Sequence, residues 1–139
     1  MSVKHILLQH VQQIVQQRIT NAQQAMQSAE TAKNSQTKSS AGDKFETGRA
    51  MMQAEEERSK VQLAKAIALQ NSLNQIDFSC ASQEVKVGSL VTTNRGSYLL
   101  SVGLGKILVE GQPYFAISLA SPIGQLLFGK EVGEAIIFR

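Results

Sequence analysis

The sequence has 139 residues, a formal net charge of +3 and a single cysteine, Cys80. This length suits one ordinary domain or two small ones, and the mild charge excludes a strongly basic nucleic-acid binder that attaches through bulk charge. One cysteine excludes an internal disulfide and a cysteine-based zinc cluster, and it suits a reducing compartment in which Cys80 is a passive residue.

The N-terminal stretch "MSVKHILLQHVQQ" has an apolar run of only three residues. That run is too short for a signal-peptide core, and no segment approaches the roughly 20 apolar residues of a membrane span. The sequence therefore predicts a soluble, cytoplasmic protein with no membrane partner.

The first half of the sequence has the composition of long helices. From His5 to Ile76 it contains no proline, and its only glycines are Gly42 and Gly48. Apolar residues at spacings of three and four predict one stripe on each of two helices. The first stripe is Leu7, Val11, Ile14, Val15, Ile19, Ala22, Met26 and Ala29, and the second is Met51, Ala54, Val61, Ala64, Ala68, Leu69, Leu73 and Ile76.

The segment "TAKNSQTKSSAGD" between the two stripes lacks a periodic apolar face, which indicates a turn region. Two narrow-striped helices joined by a short polar turn bury their stripes best against one another. We therefore predict an antiparallel helical hairpin of coiled-coil type over residues 1–77, with its tip near 33–48. Each arm would be about 45 Å long.

The pattern changes after Asp77, and residues 78–139 predict a small β-rich domain. Alternating residues on both sides of "NRG" predict a β-hairpin around Ser89 to Val102, and "QPYFAISLA" and "EAIIFR" predict further strands. The segment "SPIGQLLFGK" predicts one short helix, with Ser121 as N-cap, Pro122 at the first position and Gly129 as C-cap. The expected fold class is α+β with no more than four or five strands, and Tyr98, Tyr114, Phe115 and Phe128 are expected in the core rather than in a base-stacking surface.

Motifs for self-contained catalysis are missing from the sequence. Neither "GxSxG" nor "HExxH" occurs, and His5 and His10 are five residues apart, not the four that place two imidazoles on one helix face. The stretch "VGLGK" lacks the spacing of a phosphate-binding loop, so Gly103 and Gly105 are expected to be turn or bulge residues.

The segment "AGDKFETGRA" places Asp43 and Glu46 three residues apart at the predicted start of the second helix. Asp at the N-cap with Glu three residues later matches a capping box, in which the two side chains satisfy free backbone N–H groups. The same two carboxylates could also supply part of a magnesium shell, with further oxygens from water, a phosphate or another protein. The residues alone leave both roles open.

The order of helical hairpin, acidic tip and β-rich domain resembles the bacterial Gre transcript-cleavage factors, GreA and GreB, over nearly the whole chain. "GDKFE" is similar to the Gre tip pattern at Gly42, Asp43 and Glu46, and "SPIGQLLFGKEVGEAIIF" is similar to the C-terminal Gre signature. The resemblance implies that the second domain is FKBP-like. It also implies that Ser121, Pro122 and Lys130 belong to a surface that docks on RNA polymerase.

The function that the resemblance implies is stimulation of RNA cleavage by the polymerase, not an enzymatic activity of this chain alone. The hairpin would enter the secondary channel of a backtracked RNA polymerase, near the RNA 3′ end, with DNA contacted only indirectly. Asp43 would bind a magnesium ion shared with the polymerase, and Glu46 would orient the attacking water.

The tip also departs from the Gre pattern, because Phe45 and "TGRA" replace the usual serine and Asn-Ala-Glu-Tyr. Lys44 and Arg49 add positive charge beside the acids, which favours a second hypothesis: a secondary-channel regulator that does not support cleavage. A prolyl isomerase and a structural coiled-coil protein are further alternatives. The sequence ends at Arg139, before the closing strand of the Gre pattern, and whether a second copy compensates stays open.

Overall fold

The computed structural model describes residues 2–38, 43–79 and 82–137, and within these ranges the chain has both helices and a sheet. The elements in chain order are α1 (Val3–Lys38), α2 (Asp43–Asn74), β1 (Leu90–Thr93), β2 (Gly96–Ser101), β3 (Gly105–Val109), β4 (Gln112–Ser118) and α3 (Pro122–Leu127). This composition confirms the α+β class. The chain divides into a helix-pair unit, residues 14–70, and a sheet unit that combines residues 1–13 with 71–139.

Helix α1 buries the stripe that the sequence predicts. Its buried residues are Leu7, Val11, Val15, Ile19, Ala22 and Ala29. The helix continues to Lys38, however, through much of the segment that was expected to form the turn. It continues because residues 31–38 include no proline or glycine, and because Ala, Lys and Gln favour helix. The connecting residues 39–42 lie outside the described part of the chain.

Helix α2 buries a different face from the predicted one. The predicted stripe is largely wrong, because Met51, Ala54, Val61, Ala64 and Ala68 are exposed. The buried and half-buried face is instead formed by Met52, Glu56, Ser59, Leu63, Ala66, Gln70 and Leu73. Small apolar residues occur on more than one side of α2, so periodicity alone could not select the side that α1 covers.

Within the helix-pair unit, α1 and α2 run side by side in opposite directions. Gln70 donates from Nε2 to Oε1 of Gln16 at 3.4 Å. Further towards the end of α1 and the beginning of α2, Glu30 is close enough to Lys60 to contribute to its raised pKa. At and between these two levels both helices bury small side chains, Ala22 and Ala29 on α1 and Ser59 and Ala66 on α2. Small residues at an interface allow two helix backbones to approach closely.

The sheet has the strand order β1-β2-β4-β3. β1 and β2 form the predicted antiparallel hairpin around Asn94 and Arg95, with Gly96 at a positive φ of 150°. β4 is parallel to β2 and antiparallel to β3. Strand β3 was not predicted from the sequence, and a tight turn joins it to β4 through Glu110 (φ 52°) and Gly111 (φ 79°). The Glu-Gly pair between "KILV" and "QPYF" was the available signal for this hairpin.

The short helix α3 has the predicted beginning. Ser121 is the N-cap, its Oγ accepts from the Gly124 N–H at 3.1 Å, and Pro122 is the first helical residue. The predicted C-cap at Gly129 is wrong by one residue, because Phe128 is the C-cap of α3 and Gly129 follows it.

The aromatic residues divide between core and surface. Tyr98 and Phe115 stack with ring centroids 5.6 Å apart and are half-buried, as is Tyr114. The side chain of Phe128 is 47% exposed, so its predicted place in the core is wrong. The largest fully buried side chains of the sheet unit are Leu7, Val11, Leu99 and Leu100, which come from α1 and β2.

The predicted C-terminal strand is absent from its described part, Glu134 to Ile137. Of these four residues only Ile136 and Ile137 favour strands, whereas Glu134 and Ala135 do not. The pairing that precedes this segment is short: Val85 N–H donates to the Lys130 carbonyl at 2.9 Å and Gly129 N–H to the Val85 carbonyl at 2.8 Å. Phe138 and Arg139 lie outside the described residues. None of the helices described is both long and apolar enough to cross a membrane.

Candidate functional site

The two candidate catalytic residues occupy the first turn of α2. Asp43 is the first helical residue and Glu46 the fourth. Residues three apart on a helix share a face, so the backbone directs both positions to the same side. The side chains of Asp43 and Glu46, and all of Gly42, lie outside the described part of the structure. The helix begins one residue earlier than an N-cap at Asp43 requires.

The first turn of a helix favours negative charge, because its backbone N–H groups are unpaired and the helix dipole is positive there. Asp43 and Glu46 are therefore electrostatically suited to this position whether they cap the helix or bind a partner. Two described acids further along α2, Glu55 and Glu56, have partners of their own. Arg58 donates to the Glu55 carboxylate, and Lys60 lies 3.2 Å from Oε1 of Glu56.

Lys60 marks an electrostatic cluster in the helix-pair unit. The hydrogen bond with Glu56 raises the pKa of Lys60 above its ordinary value, and the negative charges of Glu56, Glu57 and Glu30 add to the effect. The Glu56 side chain is only 15% exposed, whereas Lys60 is about half exposed. Because lysine is charged at neutral pH with or without this shift, the cluster remains an ion-pair network under physiological conditions.

The fit of this tip to magnesium depends on how many oxygen ligands it offers. Magnesium prefers six oxygens in octahedral geometry, and Asp43 with Glu46 supplies only part of that shell. Among the residues that the structure describes, no group of three or more His, Cys, Asp or Glu side chains is arranged to hold a metal ion. The donor set fits a magnesium ion only if water and a partner complete the shell.

The three candidate docking residues lie around α3. The Ser121 hydroxyl accepts from Gly124 N–H and donates to the Ser118 carbonyl at 2.7 Å, so it is occupied within the fold. Pro122 is exposed beside it. Lys130 lies beyond the other end of α3 and has its Nζ 3.7 Å from Oε2 of Glu134. Ser121 and Pro122 are thus together, and the length of α3, about 9 Å, separates them from Lys130.

The remaining sequence candidates show ordinary local environments where they are described. His5 lies on the exposed side of α1 with its Nε2 3.4 Å from Gln9 Nε2, and His10 is half-buried on the same helix. Gly105 begins β3, and Gly103 lies in the connection before it. Cys80 lies outside the described residues.

One feature of the sheet unit had no sequence signal, a groove of about 930 Å³ beside β1. Its walls come from the beginning of α1, the segment before β1, β1 itself and the segment after α3. The beginning of α1, residues 82–94 and the segment after α3 are far apart in the sequence, so only the folded chain brings them together.

Comparison with known proteins gave no match for this chain among protein-family models, curated proteins or solved structures.

Proposed function

We propose that this chain is a Gre-like transcription elongation factor, which binds RNA polymerase through its secondary channel and stimulates cleavage of backtracked RNA. The observation that carries the proposal is the position of Asp43 and Glu46 in the first turn of α2, at one end of the helix-pair unit. From Asp43 to Gln70, α2 rises by about 40 Å. A helix pair of that length could carry two carboxylates deep into a channel.

We propose that the helix pair is an antiparallel coiled coil. The buried and half-buried residues of α2 from Met52 to Leu73 recur at alternating spacings of four and three, which is the heptad pattern. On α1, Val15, Ile19, Ala22, Met26 and Ala29 have the same alternation. The opposite direction of the two helices supports this assignment. An FKBP-like fold for the sheet unit is the companion proposal, and a four-stranded mixed sheet followed by one short helix is compatible with it.

The proposed chemistry divides the work between this chain and the polymerase. A magnesium ion held between them would supply stabilisation of the negative charge that develops on oxygen during phosphodiester hydrolysis. Asp43 would supply one carboxylate ligand from the helix start. Glu46, one turn further along the same face, would accept a hydrogen bond from the attacking water and hold it in line. The polymerase would supply the other metal ligands and the RNA.

A second candidate function is a secondary-channel regulator that does not support cleavage. Lys44 and Arg49 favour it, because their charges lie next to the two acids in the sequence and reduce the negative field at the tip. Such a protein would occupy the same channel through the same helix pair. The two functions therefore predict the same binding and differ only in RNA cleavage.

The test uses a purified, backtracked elongation complex with magnesium, in which release of the RNA 3′ fragment is measured. We expect the natural chain to accelerate cleavage, and the double variant Asp43→Asn with Glu46→Gln to lose about 100-fold or more of that stimulation. The matched control is Glu55→Gln with Glu57→Gln, which makes the same charge change three turns further along α2. This control is expected to stimulate cleavage normally.

Three outcomes separate the hypotheses. Cleavage that depends on Asp43 and Glu46 supports the proposed function. If the natural chain competes with a known secondary-channel factor but produces no cleavage, it is the non-cleaving regulator. If it does not bind the polymerase, both functions are wrong, and a structural role for the helix pair replaces them.

A further inference from the structure

Strand β1 is at an edge of the sheet, and among the described strands it pairs only with β2. In the β1–β2 hairpin, Thr93 pairs with Gly96 across a two-residue turn, and Leu100 N–H donates to the Ser89 carbonyl at 3.0 Å. Hydrogen-bonded and non-hydrogen-bonded pairs alternate along an antiparallel ladder. The backbone N–H and C=O groups of Leu90 and Thr92 therefore point away from β2. Within the described ranges, no backbone hydrogen bond joins these groups to another segment.

The groove of about 930 Å³ runs along this open edge. Its volume lies near the upper end of the range of about 300–1,000 Å³ for ligand-binding clefts. Apolar side chains from every wall line it, namely Val3, Val85, Leu90, Leu127 and Ile136. An open strand edge beside a partly apolar groove is the arrangement that accepts an extended peptide as an added strand.

The charge at the groove indicates what kind of peptide would bind. Glu84 and Glu131 both line the groove, are exposed, and lie directly opposite each other in a single antiparallel bridge. Like charges in that relation repel each other. Two cations, Lys4 and Lys130, also line the groove, against three glutamates, so the lining has a net negative charge. Lys130 is paired with Glu134, and among the described residues neither Glu84 nor Glu131 has an ion-pair partner. A positive side chain placed between Glu84 and Glu131 would remove the repulsion and gain two charge-assisted hydrogen bonds.

We propose that the β1 groove binds an extended peptide segment of a partner protein that carries an arginine or lysine. The segment lies along β1 as a fifth strand and exchanges main-chain hydrogen bonds with Leu90 and Thr92. Its apolar side chains contact Val3 and Ile136, and its basic side chain lies between Glu84 and Glu131. The groove binds such a segment whether or not the chain acts on RNA polymerase.

The probe is a fluorescein-labelled eight-residue peptide of alternating threonine and valine with one central arginine. It is titrated with the full chain by fluorescence anisotropy, and the amide signals of the chain are followed by NMR. We expect saturable binding, with the largest amide shifts at Leu90 and Thr92. The double variant Glu84→Gln with Glu131→Gln should bind about tenfold more weakly. The matched control, Glu55→Gln with Glu57→Gln, makes the same charge change outside the groove and should bind as the natural chain does.

Two altered peptides separately test main-chain pairing with β1 and recognition of the basic side chain. N-methylation of the amides that would face β1 removes hydrogen-bond donors and should abolish binding, and glutamate in place of the arginine should weaken it. These peptides leave the protein unaltered, so misfolding of a variant cannot imitate the result. The proposal is overturned by absence of binding at millimolar peptide, by equal binding of the N-methylated peptide, or by unchanged affinity of the Glu84→Gln and Glu131→Gln variant. Self-association that Thr92→Pro abolishes would assign the edge to a second copy and would also overturn it.

Discussion

Replacing Gly124 with alanine is expected to destabilise the sheet unit by about 2 kcal/mol, although alanine is the better helix former. A Cβ atom at Gly124 would lie 2.2 Å from the Ser118 carbonyl oxygen and 2.9 Å from Ser121 Oγ. Steric overpacking costs about 1–3 kcal/mol. Loss of the Ser121 cap adds about 1 kcal/mol. The better helix propensity of alanine stabilises the variant by about 1 kcal/mol. Since the cap and propensity contributions cancel, the steric contribution makes the variant less stable than the natural chain.

The assay is urea unfolding followed by the amide signals of β2 and β4, so that the sheet unit is observed separately. Gly103→Ala is the matched control, because a Cβ there would meet no atom within 4 Å. The control should change the free energy of unfolding by less than about 0.5 kcal/mol. A Gly124→Ala protein as stable as the natural chain, or more stable, would refute the close packing of α3 against the end of β4.

Three further predictions concern the sheet unit. Ser121→Ala should lower the free energy of unfolding by about 1 kcal/mol because the N-cap is lost, whereas Ser121→Thr should keep most of the stability that the cap supplies. Urea unfolding measures both. Gly88→Ala should lower the melting temperature, because its Cβ would lie 2.4 Å from the Asp77 carbonyl oxygen at a φ of +102°; an unchanged value would contradict this contact. Hydrogen bonds from the Ser79 hydroxyl and N–H lower the pKa of Asp77. That stabilisation is present above about pH 4 and is lost as the pH falls, so Asp77→Asn should lose less stability than the natural chain between about pH 6 and about pH 3.

The sequence predicted α1 better than α2 for a physical reason. On α1 the apolar residues lie on one side and the other sides are mostly Gln, Arg and Ser, so the buried face is unambiguous. On α2, alanine and valine lie on the outer side, while Ser59 and Glu56 belong to the side that faces α1. The burial of a serine between two helices depends on the partner helix, and a single-helix pattern does not contain that information.

In the second half of the sequence, turn and cap residues predicted the elements next to them correctly. Asn94, Arg95 and Gly96 predicted the β1–β2 hairpin, and Ser121 with Pro122 predicted the start of α3. The Glu110-Gly111 turn would have predicted β3 in the same way. The segment "EAIIFR" shows the limit of composition, because Glu134 to Ile137 do not form a strand although Ile136 and Ile137 favour one.

For the candidate site, the sequence predicted where Asp43 and Glu46 lie, but it could not distinguish a helix-capping role from a metal-binding role. Asp43 and Glu46 are at the start of α2, where both a capping box and a metal-binding pair would lie. The two roles use the same residue types at the same spacing, so only a partner can distinguish them. The β1 groove had no sequence signal, because Glu84 and Glu131 are 47 residues apart (131 − 84 = 47) and meet only in the folded sheet unit.

The order of strands has a consequence for synthesis on the ribosome. β4 is the last strand to leave the ribosome, yet it lies between β2 and β3 and pairs with both. A nascent chain that has reached only Gly111 can therefore pair β2 with β1 but not with β4, and Leu99 and Leu100 lack their β4 partners Ala116 and Ile117. The sheet should become resistant to protease only after Ser118 has emerged, so until then it depends on the ribosome or a chaperone for protection.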